Sequence, residues 1–170
     1  NNDMDPVIRK IHTGRIANAN GAAEELSRIA KACGGHLKPE DVVRNAKQKS
    51  SPLHKYFTWD DTEAAAKYRI IQAGQLIRTI KVTVETHPQD KPITVRAFIN
   101  VAMESEDDAD ETDSVYVPLA TALKVDDYRT QMLENAAKEL GAFRKKYALL
   151  NELSGLFAEI DKLQMKFQIA

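Results

Sequence analysis

The hydrophobic period of the chain changes twice, and this change limits the possible folds more than any other feature of the sequence. Between 61 and 80, apolar residues recur every three or four positions, as they do along one face of a helix. The segments "KVTVET" (81–86) and "ITVRAFINVAM" (93–103) instead alternate and are rich in β-branched residues, which is typical of strands. From 126 to 167 the helical spacing returns. The pattern predicts an α+β fold that is mainly α, with helices around a small antiparallel β element.

This β element is predicted to be a hairpin or a three-stranded antiparallel sheet between 81 and 117. The connection "HPQDKP" (87–92) contains two prolines and supplies the turn, and "SVYV" (114–117) is a candidate third strand. The decapeptide "ESEDDADETD" (104–113) holds seven acidic residues and no basic one, so we expect a solvated loop that does not pack. It lacks the glycine and the ligand spacing of an EF-hand, so it predicts no metal site.

The first third of the chain is predicted to be helical. The stretch 6–33 is typical of one or two helices, interrupted at "NANG" and ended by the glycines of "CGGH". Pro39 suits the first turn of a further helix over 40–49, because that turn needs no backbone donor. Leu37 and Val42 have the spacing of a hydrophobic staple at the start of this helix.

The segment "SPLHKYFTWDDTE" (51–63) suggests either a catalytic constellation or a structural corner. Acid–base chemistry would need His54 within reach of Asp60 or Asp61. However, Asp60 with Glu63 matches a capping box, which explains these carboxylates as the start of the helix that follows. We favour an aromatic corner that folds over the start of that helix, formed by Leu53, Tyr56, Phe57 and Trp59.

The C-terminal segment carries an apolar stripe that is long for a single globular helix. Its first part steps through Leu133, Ala136, Leu140, Phe143, Tyr147 and Leu150. After a phase shift it continues through Leu153, Phe157, Ile160 and Phe167. This pattern predicts one long helix or a helical hairpin broken near 151–155. Such a stripe needs a partner, either the chain's own helices or another subunit, and we expect a homo-oligomer with coiled-coil contacts. The chain is accordingly divided into a helical domain with the inserted hairpin (1–125) and a C-terminal helical segment (126–170).

The sequence contains no familiar catalytic or nucleotide-binding motif. GxxxxGK[ST], GxGxxG, GxSxG and HExxH are absent, and the four histidines include no i, i+4 pair. The single cysteine, Cys33, excludes an internal disulfide and a Cys-based zinc site. His36 lies three residues on, in a Gly-Gly turn, so we interpret Cys33 as a half-buried residue at a helix end. We predict no enzyme activity, no catalytic residue, no cofactor and no metal. No apolar run approaches the length that spans a bilayer, so no membrane partner is expected.

Basic residues provide the remaining candidate for a binding surface. The formal net charge is −1, and because the decapeptide carries seven acidic residues, the rest of the chain is basic. Two short helices joined by the tight "GGHLKPED" turn are similar to a helix-turn-helix, whose second helix enters the major groove. The residues predicted to contact DNA are Arg44, Asn45, Lys47, Gln48 and Lys49 on the second helix, and Arg144, Lys145 and Lys146 on the C-terminal segment.

The segment around the Trp resembles a pattern of uncharacterised phage and prophage proteins, SPLHxxFxWDD followed by AAxxYR. The matching residues are Ser51, Pro52, Leu53, His54, Phe57, Trp59, Asp60, Asp61, Ala64, Ala65, Tyr68 and Arg69. The stretches "VRAFINV" and "RKKYALLNELSGLFAEID" are similar to later parts of the same group. The resemblance implies a phage origin. It implies no activity and carries over no functional residue.

Two function hypotheses follow from these features. The first is a non-enzymatic, phage-encoded, oligomeric protein of the host cytoplasm that binds DNA through its basic helical surfaces. The alternative is a structural or assembly protein of the virion, whose long C-terminal helix contacts other phage proteins. An enzyme is the least favoured class.

Overall fold

The computed structural model describes residues 10–13, 21–59, 62–85, 91–104 and 112–167. It confirms an α+β fold that is mainly helical and has antiparallel strands. The strands are β1 (Lys10–Thr13), β2 (Lys81–Glu85), β3 (Ile93–Arg96), β4 (Phe98–Glu104) and β5 (Thr112–Pro118). The helices are α1 (Ala22–Ala32), α2 (Pro39–Ala46), α3 (Glu63–Thr79), α4 (Leu119–Lys124), α5 (Asp126–Lys146) and α6 (Ser154–Lys166).

The chain forms two compact units, Asn1–Thr121 and Ala122–Ala170, which we describe separately. The division suggested by the sequence lay at 125/126, four residues later. Helix α4 crosses the boundary between the units.

The first sheet has three strands in the order β1-β2-β3, all antiparallel. The predicted hairpin of 81–86 with the start of 93–103 is confirmed, and Val82 and Val84 form its buried face. The third strand, however, is residues 10–13, which the sequence placed in a helix. That prediction was wrong because a four-residue segment has too little periodicity to be classified, and its partner β2 lies some seventy positions along the chain. The helix predicted in the later part of 6–33 is confirmed as α1.

The second sheet consists of β4 and β5 alone, paired from Phe98↔Pro118 to Glu104↔Thr112. The strand predicted at 114–117 is therefore confirmed, but it does not join the first sheet. The apolar run 93–103 breaks at Ala97, which is buried. The prediction of an acidic loop over 104–113 was wrong at its ends, because Glu104 belongs to β4, Thr112 and Asp113 belong to β5, and Asp113 pairs with Lys38 at 2.6 Å. Residues 105–111 lie outside the described residues, as does 86–90 in the first hairpin.

The core of the N-terminal unit forms where α1, α2 and the end of α3 meet β5. Its fully buried side chains include Leu26, Ile29, Leu37, Val42 and Ile77. Pro39 occupies the first turn of α2, and Leu37 and Val42 are both buried at the staple positions. Leu37 also pairs with Tyr116 of β5, since each backbone N–H donates to the other residue's carbonyl, at 2.6 and 2.9 Å.

The long helix α3 begins later than predicted and is buried only at its end. Its N-cap is Thr62, whose Oγ1 accepts a hydrogen bond from the Ala65 N–H at 3.1 Å, so the predicted Asp60–Glu63 capping box was wrong. Asp60 itself lies outside the described residues. Within the predicted stripe, Ala73 and Ile77 are buried whereas Ala66 is exposed.

The C-terminal unit is a helical hairpin of α5 and α6, one of the two predicted alternatives. The turn of 147–150 and a single 3₁₀ turn (Asn151–Leu153) connect the two helices. The side chain of Gln164 lies so close to Gly141 that a Cβ at position 141 would collide with its amide group. Gln164 thus makes a close approach to the α5 backbone here, and because its amide is the end of a flexible side chain, it would have to move to admit a Cβ.

Matched alanine substitutions test this close approach. Gly155, in the first turn of α6, has no heavy atom near the position of an added Cβ. Gly155→Ala should therefore stabilise the protein by roughly 0.5–1 kcal/mol through reduced backbone entropy of the unfolded chain. Gly141→Ala should show no such gain because Gln164 must move. Urea unfolding followed by circular dichroism measures both, and an equal gain at position 141 would show that the helices are less tightly packed than described.

Candidate interaction surfaces

The predicted recognition helix is shorter than expected. Helix α2 ends at Ala46, and Lys47 is its C-cap, with its N–H bonded to the Val43 carbonyl at 3.1 Å. Gln48 and Lys49 follow in a turn, and all three side chains of 47–49 are exposed. The prediction of a helix over 40–49 was therefore wrong at its end. These three residues form a basic turn, rather than one face of a helix that could lie in a groove.

Arg44 and Asn45 do lie on α2, but both have partners within the protein. Arg44 Nη1 lies 2.9 Å from Asp41 Oδ1, with 75% of its side chain exposed. Asn45 Nδ2 donates to the Asp41 carbonyl at 2.8 Å, and its Oδ1 accepts from Arg28 Nη2 at 3.3 Å. Asn45 thus ties α2 to α1 and has few hydrogen-bonding positions left for a base edge.

The same network extends along α1 through an ion pair. Arg28 donates to Glu25 through Nε at 2.8 Å and through Nη2 at 2.7 Å. These bonds lower the pKa of the Glu25 carboxyl and raise the pKa of the Arg28 guanidinium. The i, i+3 spacing of the pair was visible in the sequence, whereas the bond from Arg28 to Asn45 depends on how α1 and α2 pack.

Cys33 lies at the end of α1 and is half-buried, as the sequence suggested. Burial raises the pKa of its thiol, and the nearby Asp41 carboxylate raises it further. A raised pKa leaves less thiolate at neutral pH, so this environment does not activate a nucleophile. Gly34 and Gly35 follow with φ of 73° and 93°, the left-handed conformation that ends the helix.

In the C-terminal unit, Arg144 fastens the hairpin. Its Nε lies 2.7 Å from Asp161 Oδ1, and its Nη2 donates to Oδ2 at 3.0 Å. Its guanidinium also lies 5.5 Å from the ring centroid of Phe157. Of the three basic residues predicted here, only Lys145 and Lys146 are fully exposed. The two predicted basic groups therefore belong to different compact units. In the first group Arg44 and Asn45 contact other residues of the protein, and in the second group Arg144 does so.

The Trp59 segment forms a corner that closes on α2. His54 Nδ1 lies 2.9 Å from the Ala46 carbonyl, so it carries the proton and caps the last turn of α2. The His54 ring stacks on Trp59 at 4.8 Å, and Trp59 Nε1 donates back to the His54 carbonyl at 2.9 Å. Phe57 is buried against the indole, and the Arg69 guanidinium lies 5.4 Å from it. These contacts give His54 a structural role; Asp60 and Asp61 lie outside the described residues.

Helix α5 has two distinct faces. Gly141 and Arg144 face α6, and Ala137 is buried one turn earlier on the same side. About a quarter turn around the helix lies the first part of the predicted apolar stripe. We call this the α5 stripe, formed by Leu133, Ala136, Leu140, Phe143 and Tyr147.

The α5 stripe is partly open to solvent, with Leu140 and Tyr147 half-buried. Leu133 is 44% exposed and Phe143 is 38% exposed, and Ala136 is also exposed. At the tip of the hairpin Leu149 is 93% exposed. The second part of the predicted stripe behaves differently, because Phe157 and Ile160 are buried. The hairpin thus buries one apolar face and presents another.

The N-terminal unit also contains an apolar cavity of about 180 Å³. It lies between α1, the start of β2 and the region where β4 begins and β5 ends beside α4. Apart from Ser27, its lining is apolar, and it includes Ile80, Val82, Phe98 and Leu119. Among the residues that the structure describes, no group of three or more His, Cys, Asp or Glu side chains could hold a metal ion.

Comparisons with models of known protein families, with curated proteins and with solved structures gave no match to this chain. No helix within the described ranges is long and apolar enough to cross a membrane.

Replacing Trp59 with alanine tests the corner. Since the indole stacks on His54 and is only half-buried, Trp59→Ala should cost about 2–3 kcal/mol, less than a fully buried Trp. The control is Tyr68→Ala on the exposed part of α3, where the side chain is 50% exposed and the cost should stay below about 1 kcal/mol. Urea unfolding is followed by circular dichroism because the variant lacks its only Trp. Equal, small losses in both variants would mean that the corner contributes little to stability.

Proposed function

We propose that this chain is a non-enzymatic, phage-encoded protein that works as a homo-oligomer, with the α5 stripe forming the contact between subunits. The observation that carries the proposal is the separation of the two faces of α5. One face is used inside the hairpin, while large apolar side chains at Leu133 and Phe143 remain exposed on the other. Apolar patches of this kind on a helix typically mark a protein–protein contact. This supports the virion or assembly role more directly than DNA binding.

Energetics also favour a partner for this face. Burying the exposed part of a Leu or Phe side chain contributes about 1 kcal/mol to the free energy of association. In a contact between two identical subunits, each residue contributes this amount twice, once from each copy. Two antiparallel helices alone bury little apolar surface, and the described core of this unit rests mainly on Ala137, Phe157 and Ile160. Association would therefore stabilise the hairpin as well as join the subunits.

Three positive features support a protein without enzymatic chemistry. His54 caps a helix, the pKa of Cys33 is raised, and the cavity of the N-terminal unit is lined by apolar residues apart from Ser27. Acid–base catalysis would need a free imidazole at His54, and nucleophilic catalysis would need a lowered thiol pKa at Cys33. A catalytic cavity would need polar groups in its lining. A phage origin is supported by the resemblance of the Trp59 segment alone.

Two matched alanine-to-aspartate variants test the oligomer. Ala136 lies on the α5 stripe and Ala142 lies off it, and both are exposed, so neither substitution should unfold the protein. Ala136→Asp should place a charge in the contact and shift the protein to monomers, whereas Ala142→Asp should leave the oligomer unchanged. Sedimentation equilibrium measures the mass of each. A monomeric wild-type protein at about 100 μM would contradict the proposal, because a contact weaker than that has about the free energy of a nonspecific one.

DNA binding is a second proposal, supported by the exposure of the basic turn and of the last turn of α5. Lys47, Gln48 and Lys49 are exposed in one unit, and Lys145 and Lys146 in the other. Side chains on a turn and at a helix end are suited to contact phosphates rather than to read bases. In an oligomer these sites would be repeated, which would strengthen weak individual contacts. This role places the protein in the host cytoplasm.

A gel-shift experiment tests this second proposal. The wild-type protein should shift duplex DNA at about 50 mM salt and lose affinity steeply as salt rises, because released counterions drive the binding. Lys47→Glu with Lys49→Glu should weaken binding at least about tenfold. The control carries the same change of charge at two other exposed positions, Lys67→Glu with Lys91→Glu. If the wild-type protein gives no shift, DNA binding is ruled out. If both double variants weaken binding equally, the basic turn is not the DNA-binding surface.

A further inference from the structure

We infer that two copies of the chain pair through the stripes of antiparallel α5 helices, around a two-fold axis that crosses between the helices at the level of position 138. This inference rests on the proposed self-association and specifies its geometry. Because the contact is isologous, Leu133 and Ala136 meet Phe143 and Leu140 of the partner subunit, and Tyr147 meets Arg129 of the partner subunit. Three features of α5 favour this arrangement: the spacing of its apolar residues, their sizes and the distribution of its charges.

Four residues of the stripe are spaced symmetrically about the level of position 138. Leu133 and Phe143 lie five residues on either side, and Ala136 and Leu140 lie two residues on either side. Reversing the helix therefore maps the apolar positions onto one another. With a rise of about 1.5 Å per residue, Leu133 and Phe143 are each roughly 7.5 Å from the axis, in opposite directions.

The side chains are complementary in size in this register. Leu140 meets Ala136 of the partner subunit, so that a large residue lies against a small one, and Leu133 meets Phe143 of the partner subunit. A parallel, in-register pair would instead place Phe143 against itself and Ala136 against itself. In that arrangement two Phe side chains would clash in one layer of the interface, while two Ala side chains would leave a gap in another. Close-packed interfaces avoid both.

The charges of α5 decide between the two directions. Its first turn is acidic, with Asp126 and Asp127, and its last turn holds Lys145 and Lys146, all four exposed. These charges also complement the dipole of the helix itself. Between two copies, an antiparallel pair brings each acidic end to a basic end, whereas a parallel pair brings like charges together at both ends. Asp127 and Lys145 lie on the far side of α5 from the stripe, so the charges act between the ends of the two helices, where they favour a second copy in the antiparallel direction.

Site-directed disulfides test the direction and the register. In a Cys33→Ser background, Leu133→Cys and Phe143→Cys are prepared as separate single variants. In the antiparallel pair, two copies of position 133 are about 15 Å apart, too far for a disulfide, while 133 lies opposite 143. Each variant alone should stay uncrosslinked under mild oxidation, and an equimolar mixture should give a covalent dimer on non-reducing gels. Circular dichroism confirms that each variant is folded.

A second pair of cysteine variants is needed because Leu133→Cys and Phe143→Cys each remove an apolar side chain from the proposed contact. Arg129→Cys with Tyr147→Cys is related by the same axis and lies outside the central residues, so its mixture should also crosslink. Crosslinking of each single variant with itself would show a parallel pair and overturn the inference. An intact oligomer with no crosslink in either mixture would overturn it as well, and would point to another surface. A wild-type protein that is monomeric by sedimentation would overturn the proposed self-association itself, so the two failures are distinguishable.

Discussion

The backbone of Ala97 fixes the architecture of the N-terminal unit, at the point where one apolar run becomes two strands. Its N–H donates to the Ile80 carbonyl at the end of α3, and its carbonyl accepts from the Leu119 N–H at the start of α4, each at 2.9 Å. Because Ala97 is buried, either group left unpaired would cost about 1–3 kcal/mol. The bend is therefore held firmly, and β3 and β4 leave it towards different partners. The backbone of this one residue therefore connects the end of α3, the start of α4 and the strands of both sheets.

A hydrogen bond that caps the end of α2 determines the shape of the basic turn. The carbonyl of Ala46 would be unsatisfied at the end of α2, and His54 Nδ1 satisfies it. Trp59 holds the His54 ring by stacking and returns a hydrogen bond to its carbonyl. The chain must therefore leave the helix at Lys47 to reach this corner. The most conspicuous segment of the sequence thus acts as a cap for the preceding helix, and the basic side chains that follow α2 are displayed as a consequence.

Sequence reasoning succeeded where a signal was local and long. The strands predicted at 81–86 and 114–117 and the staple of Leu37 and Val42 follow from periodicity or spacing within one segment, and the C-terminal hairpin was one of two alternatives that periodicity left open. It failed where the deciding contact came from far along the chain. The strand at 10–13 depends on β2, and the break at Ala97 depends on Ile80 and Leu119. The partners of Asn45 and Arg144 likewise required packed coordinates, because Arg28 and Asp161 each lie seventeen residues away.

The apolar spacing of the α5 stripe predicts a helix correctly but does not predict which surface the stripe contacts. Helical spacing identifies an apolar face but not what covers it, and α5 has a second face of small residues that gives no hydrophobic signal. Ala137 is buried on that second face, and the Gln164 side chain of α6 lies against Gly141 there. Leu133 and Phe143 are then left on the surface, where exposed apolar area is unfavourable. Helix α5 thus faces α6 with Ala137 and Gly141 and leaves Leu133 and Phe143 exposed, while α6 contributes the buried Phe157 and Ile160.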